Sequence, residues 1–146
     1  MKNTAPRFCW FRPGGDMKAR RLTLAASLAA VILVGILSRT LQTGFVLIDK
    51  YLGDALYTIM FYLLLSLVWL RGSAMLKAGI VMVFMIVLEL FQLTLIPYHL
   101  SASSNIFLRI AAILLGTRFS WWDLLAYLVG VILIVSIDSL VFSKRA

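Results

Sequence analysis

Four apolar stretches, each long enough to cross a bilayer, decide what this chain can fold into. They cover residues 22–38, 54–70, 78–96 and 124–142. Crossing the hydrocarbon core takes about 20 apolar residues, with a working range of about 17–25. Lipid offers the backbone no hydrogen-bond partners, so a spanning segment of this kind closes its own as a helix. The expected fold is an all-α integral membrane protein with four transmembrane helices. Little chain is left over: a basic tail at 1–21, read as disordered, a membrane domain at 22–142 and a second tail at 143–146.

Composition excludes the main competing class. Of the 146 residues, 62% are hydrophobic, against about 45–50% apolar residues in soluble domains. The mean hydropathy is +0.99. The formal charge of +8 invites a nucleic-acid reading, but six of the 14 Lys and Arg residues lie in the first 21 positions. That placement beside the first span is topogenic, and an anionic leaflet suffices as its partner. Membrane lipids are therefore the expected partners, nucleic acid is not, and a homo-oligomer stays open. The lone Cys9 has no internal disulfide partner.

The first stretch runs 17 residues, longer than the about 7–15 of a cleaved signal h-region. It reads as an uncleaved anchor, and Met17 opens a string, MKARRLTLAA, of that form. With four spans both termini share a side. Placing them in the cytoplasm gives ten Lys and Arg inside against four outside, counted over the tails and loops. The expectation is a bacterial cytoplasmic membrane protein with both termini cytoplasmic.

On that topology the polar residues of the spans are one-sided. Arg39 ends the first span, Asp54 opens the second, Glu89 and Gln92 lie in the third, and Arg118 and Asp123 precede the fourth. All six fall toward the outer face. Asp138 is the exception. Ionisable groups in a span cost roughly 2.5–3.5 kcal/mol on insertion scales, so they face protein and often mark a site. The loops at 40–52 and 71–77 are short, the latter a basic turn, RGSAMLK. The connector at 97–122 contains IFLRIAAILL at 106–115, too short to span and suited to an interfacial or re-entrant helix. Arg109 within it reads as an interface-seeking side chain, and Trp121 and Trp122 follow at the expected headgroup depth.

Glu89 and Gln92, three apart, share a helix face. An ionised Glu89 needs a cation or several donors, and Arg39 and Arg118 are the cations at that depth. Two readings stay open: a buried pair fastening helices, with Gln92 bonding across the bundle, or a ligand or proton site. Asp123 has its own bland role, because Ser120-Trp121-Trp122-Asp123 has capping-box spacing. It also lies on one face with Tyr127, Gly130 and Ile134, where Gly130 permits close helix approach. Asp54, after Gly53, reads as a helix start, with Tyr57 one turn on. His99 is the only histidine and reads as interfacial, since a metal would need further ligands. No phosphate loop, H-E-x-x-H or Ser-His-Asp set is present. No cofactor or metal is expected, and no recognisable catalytic set.

The strings KYLGDALY at 50–57, ELFQL at 89–93 and GTRFSWWDLLAYLVG at 116–130, preceded by Arg39, resemble a bacterial membrane family designated domain of unknown function 2809. The resemblance covers about residues 20–140. More distantly the layout is similar to VanZ-type proteins. Their pattern has Asp-Lys-x-x-His on one span, Glu-x-x-Gln on the next and Arg…Asp-x-x-Ala-Asn-x-x-Gly on the last. Asp49, Lys50, Glu89, Gln92, Arg118, Asp123 and Gly130 match. Gly53 stands at the histidine position and Tyr127 at the asparagine, so histidine-dependent chemistry does not carry over. VanZ-type proteins are associated with lowered teicoplanin sensitivity at the cell surface, while the nearer family implies no activity.

The resulting expectation is a non-catalytic envelope protein with a polar pocket open to the outer leaflet, binding a lipid headgroup or other amphiphile. Arg39, Gln92 and Arg118 would contact an anionic group, while Asp54, Glu89 and Asp123 orient them and Tyr127 lines the site. The alternatives are a small proton-coupled transporter or channel subunit, with Glu89 titrating, and a lipid-modifying enzyme using Glu89 or Asp123 as base.

Overall fold

The computed structural model describes residues 15–40, 46–116 and 118–142, the side chains at 15, 16, 39, 40, 46–50, 141 and 142 excepted. Every regular element among the described residues is a helix: α1 (Gly15–Thr40), α2 (Val46–Val68), α3 (Ala74–Gln92), α4 (Ile96–Ser101), α5 (Ile106–Leu115) and α6 (Trp121–Phe142). Four of them contain segments long and apolar enough to cross a membrane, at Met17–Ser38, Tyr51–Val68, Ala74–Gln92 and Trp121–Leu140. The protein is a multi-pass, all-helical membrane bundle.

Its packing inverts that of a soluble domain. Leucine, isoleucine, valine and phenylalanine side chains dominate the exposed surface, whereas Thr58, Ser66, Lys77, Glu89, Gln92, Asp123 and Asp138 are buried. Lipid tails solvate the apolar surface, and the polar groups face one another across helix contacts. α2, α3 and α6 pack mutually, and α1 lies along α2. Tyr62, Val81, Met85, Tyr127, Val131 and Ile134 fill the middle. Gly130 sets the α2–α6 separation, since a Cβ there would stand 2.6 Å from the Ala55 carbonyl oxygen. The close approach expected at Gly130 is present. Thr23, Ser38, Thr58, Ser136 and Ser139 bond back along their own helices, Ser136 to the Ile132 carbonyl at 2.7 Å.

Several boundaries differ from those read in the sequence. α1 is helical from Gly15, so Lys18, Arg20 and Arg21 ride on its first turns instead of in a disordered tail. The tail before residue 15, with Cys9, lies outside the described residues, as do 143–146. α2 begins at Val46, eight residues before Asp54. Asp54 is therefore no cap: at about 1.5 Å per residue it sits about 12 Å inside the helix. α3 ends at Gln92 and not at Pro97. Leu95, in the left-handed region at φ 59, redirects the chain, and Pro97 opens the short α4. At its other end α3 starts at Ala74, capped by the Ser73 side chain, which accepts from the Leu76 amide. Lys77 is consequently in the helix and fully buried, not a solvated lysine of the turn.

Candidate functional site

The α5 end of the bundle is assembled around one carboxylate. Glu89, 0% exposed, lies in the last two turns of α3. Its Oε1 accepts from the Ser120 backbone amide at 2.8 Å. Its Oε2 accepts from Gln92 Nε2 at 3.1 Å and from the Tyr127 hydroxyl at 3.2 Å. Donors from α3, from α6 and from the residue before α6 thus converge on a single side chain. Its two oxygens are thereby satisfied inside the bundle, as buried polar atoms generally are.

The same bonds tie the connector down. Gln92 Nε2 also donates to the Leu115 carbonyl at 3.0 Å, and the Tyr57 hydroxyl donates to the Leu114 carbonyl at 2.9 Å. Both acceptors belong to the last turn of α5, where carbonyls lack helical partners. Gly116 follows at φ 76, and a Cβ there would meet Gln92 Nε2 at 2.6 Å. The turn therefore needs glycine both for its backbone and for the amide pressed against it. At its start, α5 is capped by Asn105, whose Oδ1 accepts from the Phe107 amide at 2.9 Å. Expected from its length as a short non-spanning helix, α5 exposes Phe107, Ile110 and Ile113 and buries Ala112.

Two more carboxylates stand near Tyr127. The charges of Glu89, Asp54 and Asp123 all act on its phenol, and Tyr127 and Asp123 are buried. The structure so brings together Asp54, Glu89, Gln92, Asp123 and Tyr127, five of the residues singled out in the sequence. The capping-box reading of Asp123 is revised in one respect: the Ser120 amide, the group such a box engages, donates to Glu89. Asp123 remains in the first turn of α6, where its charge suits the helix dipole. Arg118 is exposed beside the exposed Trp121 and Trp122. The side chain of Arg39 lies outside the described residues, as do those of Asp49 and Lys50. Of the expected anion-binding set of Arg39, Gln92 and Arg118, the Gln92 amide nitrogen donates to two acceptors, Glu89 Oε2 and the Leu115 carbonyl.

Gln92 Oε1 is buried with no hydrogen-bond partner among the described residues, beside the carboxylate of Glu89. Buried polar atoms are satisfied in the large majority of cases, so an orphan acceptor calls for a donor. Such a set suits hydroxyl or ammonium groups. No group of three or more His, Cys, Asp or Glu among the described residues is placed to hold a metal ion. His99 sits in α4, exposed and edge-on to Tyr98 at 5.8 Å.

A second polar group at the opposite end of the bundle was not anticipated. Tyr62 donates to Asp138 Oδ2 at 2.5 Å, and the buried Lys77 and Ser66 lie at the same end. Hydropathy hid it: Tyr62 reads as an aromatic core residue and Lys77 as a loop charge. The usable signals were the four-residue spacing of Asp54, Thr58, Tyr62 and Ser66, and Ser73 as the cap that draws Lys77 into α3.

A family model described as "Protein of unknown function (DUF2809)" matches residues 44–131. The matched stretch contains every residue of the Glu89 cluster. No curated protein and no solved structure matches the chain.

Proposed function

The chain belongs to the DUF2809 family, whose description assigns no activity, and we propose from the site itself that it binds the headgroup of a membrane amphiphile. The headgroup is one that donates hydrogen bonds, through hydroxyl or ammonium groups. The observation that carries this reading is the buried Gln92 Oε1, without a hydrogen-bond partner among the described residues, beside the Glu89 carboxylate that Gln92 Nε2 and Tyr127 also engage. An intramembrane carboxylate held by three donors is a costly arrangement, and such groups mark binding or transfer sites by default. Arg118, Trp121 and Trp122 form an exposed rim of interface-seeking side chains beside it.

The VanZ-like spacing of Glu89, Gln92, Arg118, Asp123 and Gly130 supports placing this end at the outer face of a bacterial cytoplasmic membrane. Charge supports the same orientation, with both termini cytoplasmic: once the buried Lys77 is set aside, nine basic residues stand against four.

Titration of the protein, reconstituted in phosphatidylcholine nanodiscs, with phosphatidylglycerol, phosphatidylethanolamine and a glycosyl diacylglycerol tests this reading. Intrinsic tryptophan fluorescence, to which Trp121 and Trp122 contribute two of the four tryptophans, is a suitable signal. At least one donor headgroup is expected to bind saturably, and Glu89→Gln to weaken it by about tenfold, equivalent to about 1.4 kcal/mol. Equal, non-saturating responses to all headgroups, unchanged in Glu89→Gln, contradict it.

A further inference from the structure

Along α2, Asp54, Thr58, Tyr62 and Ser66 recur every fourth residue and form a polar stripe on the face turned into the bundle. Thr58, Tyr62 and Ser66 are 0%, 1% and 2% exposed. Burying hydroxyls in so apolar a setting is unfavourable unless each is bonded. Single hydroxyls serve as helix glue, and Thr58 is satisfied locally by the Asp54 carbonyl at 3.2 Å. Glue does not explain what stands at the two ends of the stripe.

At one end Asp54 shares the surroundings of the Tyr127 phenol with Glu89 and Asp123. At the other, the Tyr62 hydroxyl is bonded to Asp138, and Lys77 lies 0% exposed with no hydrogen-bond partner for its Nζ among the described residues. The charges of Asp138 and Arg20 reach Lys77. A fastening lysine would be bonded; this one has no such bond among the described residues. A cavity of about 130 Å³ between α1, α2 and α6 touches the Tyr62–Asp138 pair and is also lined by Thr23 and Ser27. The ionisable groups reach from Asp123 to Asp138 on α6, about 22 Å at 1.5 Å per residue, out of a hydrocarbon core of about 30 Å.

We propose that Asp54, Thr58, Tyr62, Asp138 and Lys77 form a proton relay through the bundle, joining the Glu89–Tyr127 cluster to the cavity at the opposite end. A proton taken up by the carboxylates near Tyr127 reaches Asp54. It passes to Thr58 and Tyr62, each hydroxyl releasing its own proton as it receives another. Tyr62 gives its phenolic proton to Asp138 Oδ2. Asp138 passes one to the Lys77 amine, and the ammonium releases one at the far side, under the field of Arg20. One proton enters, one leaves, and nothing is oxidised or reduced. Successive stripe residues stand one helical turn apart, with a backbone rise of about 6 Å, and bridging water carries the proton between their side chains. The cargo is a proton and not a metal ion, because the stripe offers one hydroxyl per turn and no metal-holding cluster occurs among the described residues.

This relay stands independently of headgroup binding, and its test reads flux alone. Proteoliposomes of phosphatidylethanolamine and phosphatidylglycerol, loaded with pyranine, are driven by a potassium diffusion potential set with valinomycin. Wild-type protein is expected to carry protons well above protein-free vesicles, and Tyr62→Phe to slow the flux by roughly tenfold or more, as loss of a positioned proton carrier does. Asp138→Asn and Thr58→Val are expected to behave likewise. Ser136→Ala, whose hydroxyl bonds only within α6, is expected to leave the flux intact. Circular dichroism and size exclusion select the folded variants. Flux no greater than in protein-free vesicles overturns the relay, as does wild-type flux in the folded Tyr62→Phe and Thr58→Val proteins.

Discussion

The backbone amide of Ser120 donates to Glu89 Oε1 at 2.8 Å, so a carboxylate buried in α3 fixes the point where α6 begins. With Gln92 and Tyr127 bonded to its other oxygen, Glu89 joins two helices and the connector between them. Its position serves architecture and chemistry together, and variants can separate the two.

Glu89→Leu strands the three donors among the described residues in a buried site, whereas Glu89→Gln keeps an acceptor for the Ser120 amide. Each donor left without a partner costs about 1–3 kcal/mol. Thermal unfolding in detergent should therefore show Glu89→Leu as the least stable variant, with Glu89→Gln, which loses the acceptor of Gln92, between it and wild type. Equal losses in the two would mean that the bonds at Glu89 contribute little to the fold.

At Gly130 a Cβ would press on the Ala55 carbonyl oxygen, whereas nothing lies within 4 Å of a Cβ at Gly79. Overpacking a tight contact costs about 1–3 kcal/mol. Gly130→Ala is expected to destabilise by that amount and Gly79→Ala to be neutral or mildly stabilising. The check is the same unfolding assay on both variants; a neutral Gly130→Ala would contradict the close α2–α6 contact.

Tyr57→Phe removes the bond to the Leu114 carbonyl, one of the two tethers on the last turn of α5. The expected global loss is small, about 0.5–1.5 kcal/mol, but local opening should rise. Hydrogen–deuterium exchange over residues 106–116 should quicken, with the cores of α2 and α6 unaffected. Unchanged exchange there would show that Gln92 alone holds the connector.

Lys77 makes the opposite kind of prediction. Its buried Nζ lacks a hydrogen-bond partner among the described residues, a situation that costs about 1–3 kcal/mol by mutational measures. Lys77→Met is expected to be more stable than wild type in thermal unfolding and to lose proton flux. A marked loss of stability would instead make Lys77 a structural fastener.

The sequence made the spans legible because hydropathy alone selects bilayer-length helices, and α5 legible because ten apolar residues between Asn105 and Gly116 cannot cross. Glu89 and Gln92 were legible as a pair because no boundary explains a carboxylate inside a span. Asp54 was misplaced for a physical reason. Gly53-Asp54 has the look of a helix start, yet the residues before it continue the helix back to Val46. Lys77 was hidden because a lysine beside Arg71 reads as a solvated turn, and only the cap at Ser73 shows that α3 has already begun. Tyr62 and Asp138, 76 residues apart, meet only through helix packing, which no local pattern encodes.

The most direct measurement of the central claim is native mass spectrometry of the protein extracted from its own membrane, comparing wild type with Glu89→Gln and Gln92→Leu. If the Glu89 cluster is a headgroup site, wild type retains a defined amphiphile with hydroxyl or ammonium groups. Both variants then retain much less of it, while remaining folded. An identical lipid complement on all three proteins would contradict the account and leave the cluster as a fastener of α3, α5 and α6.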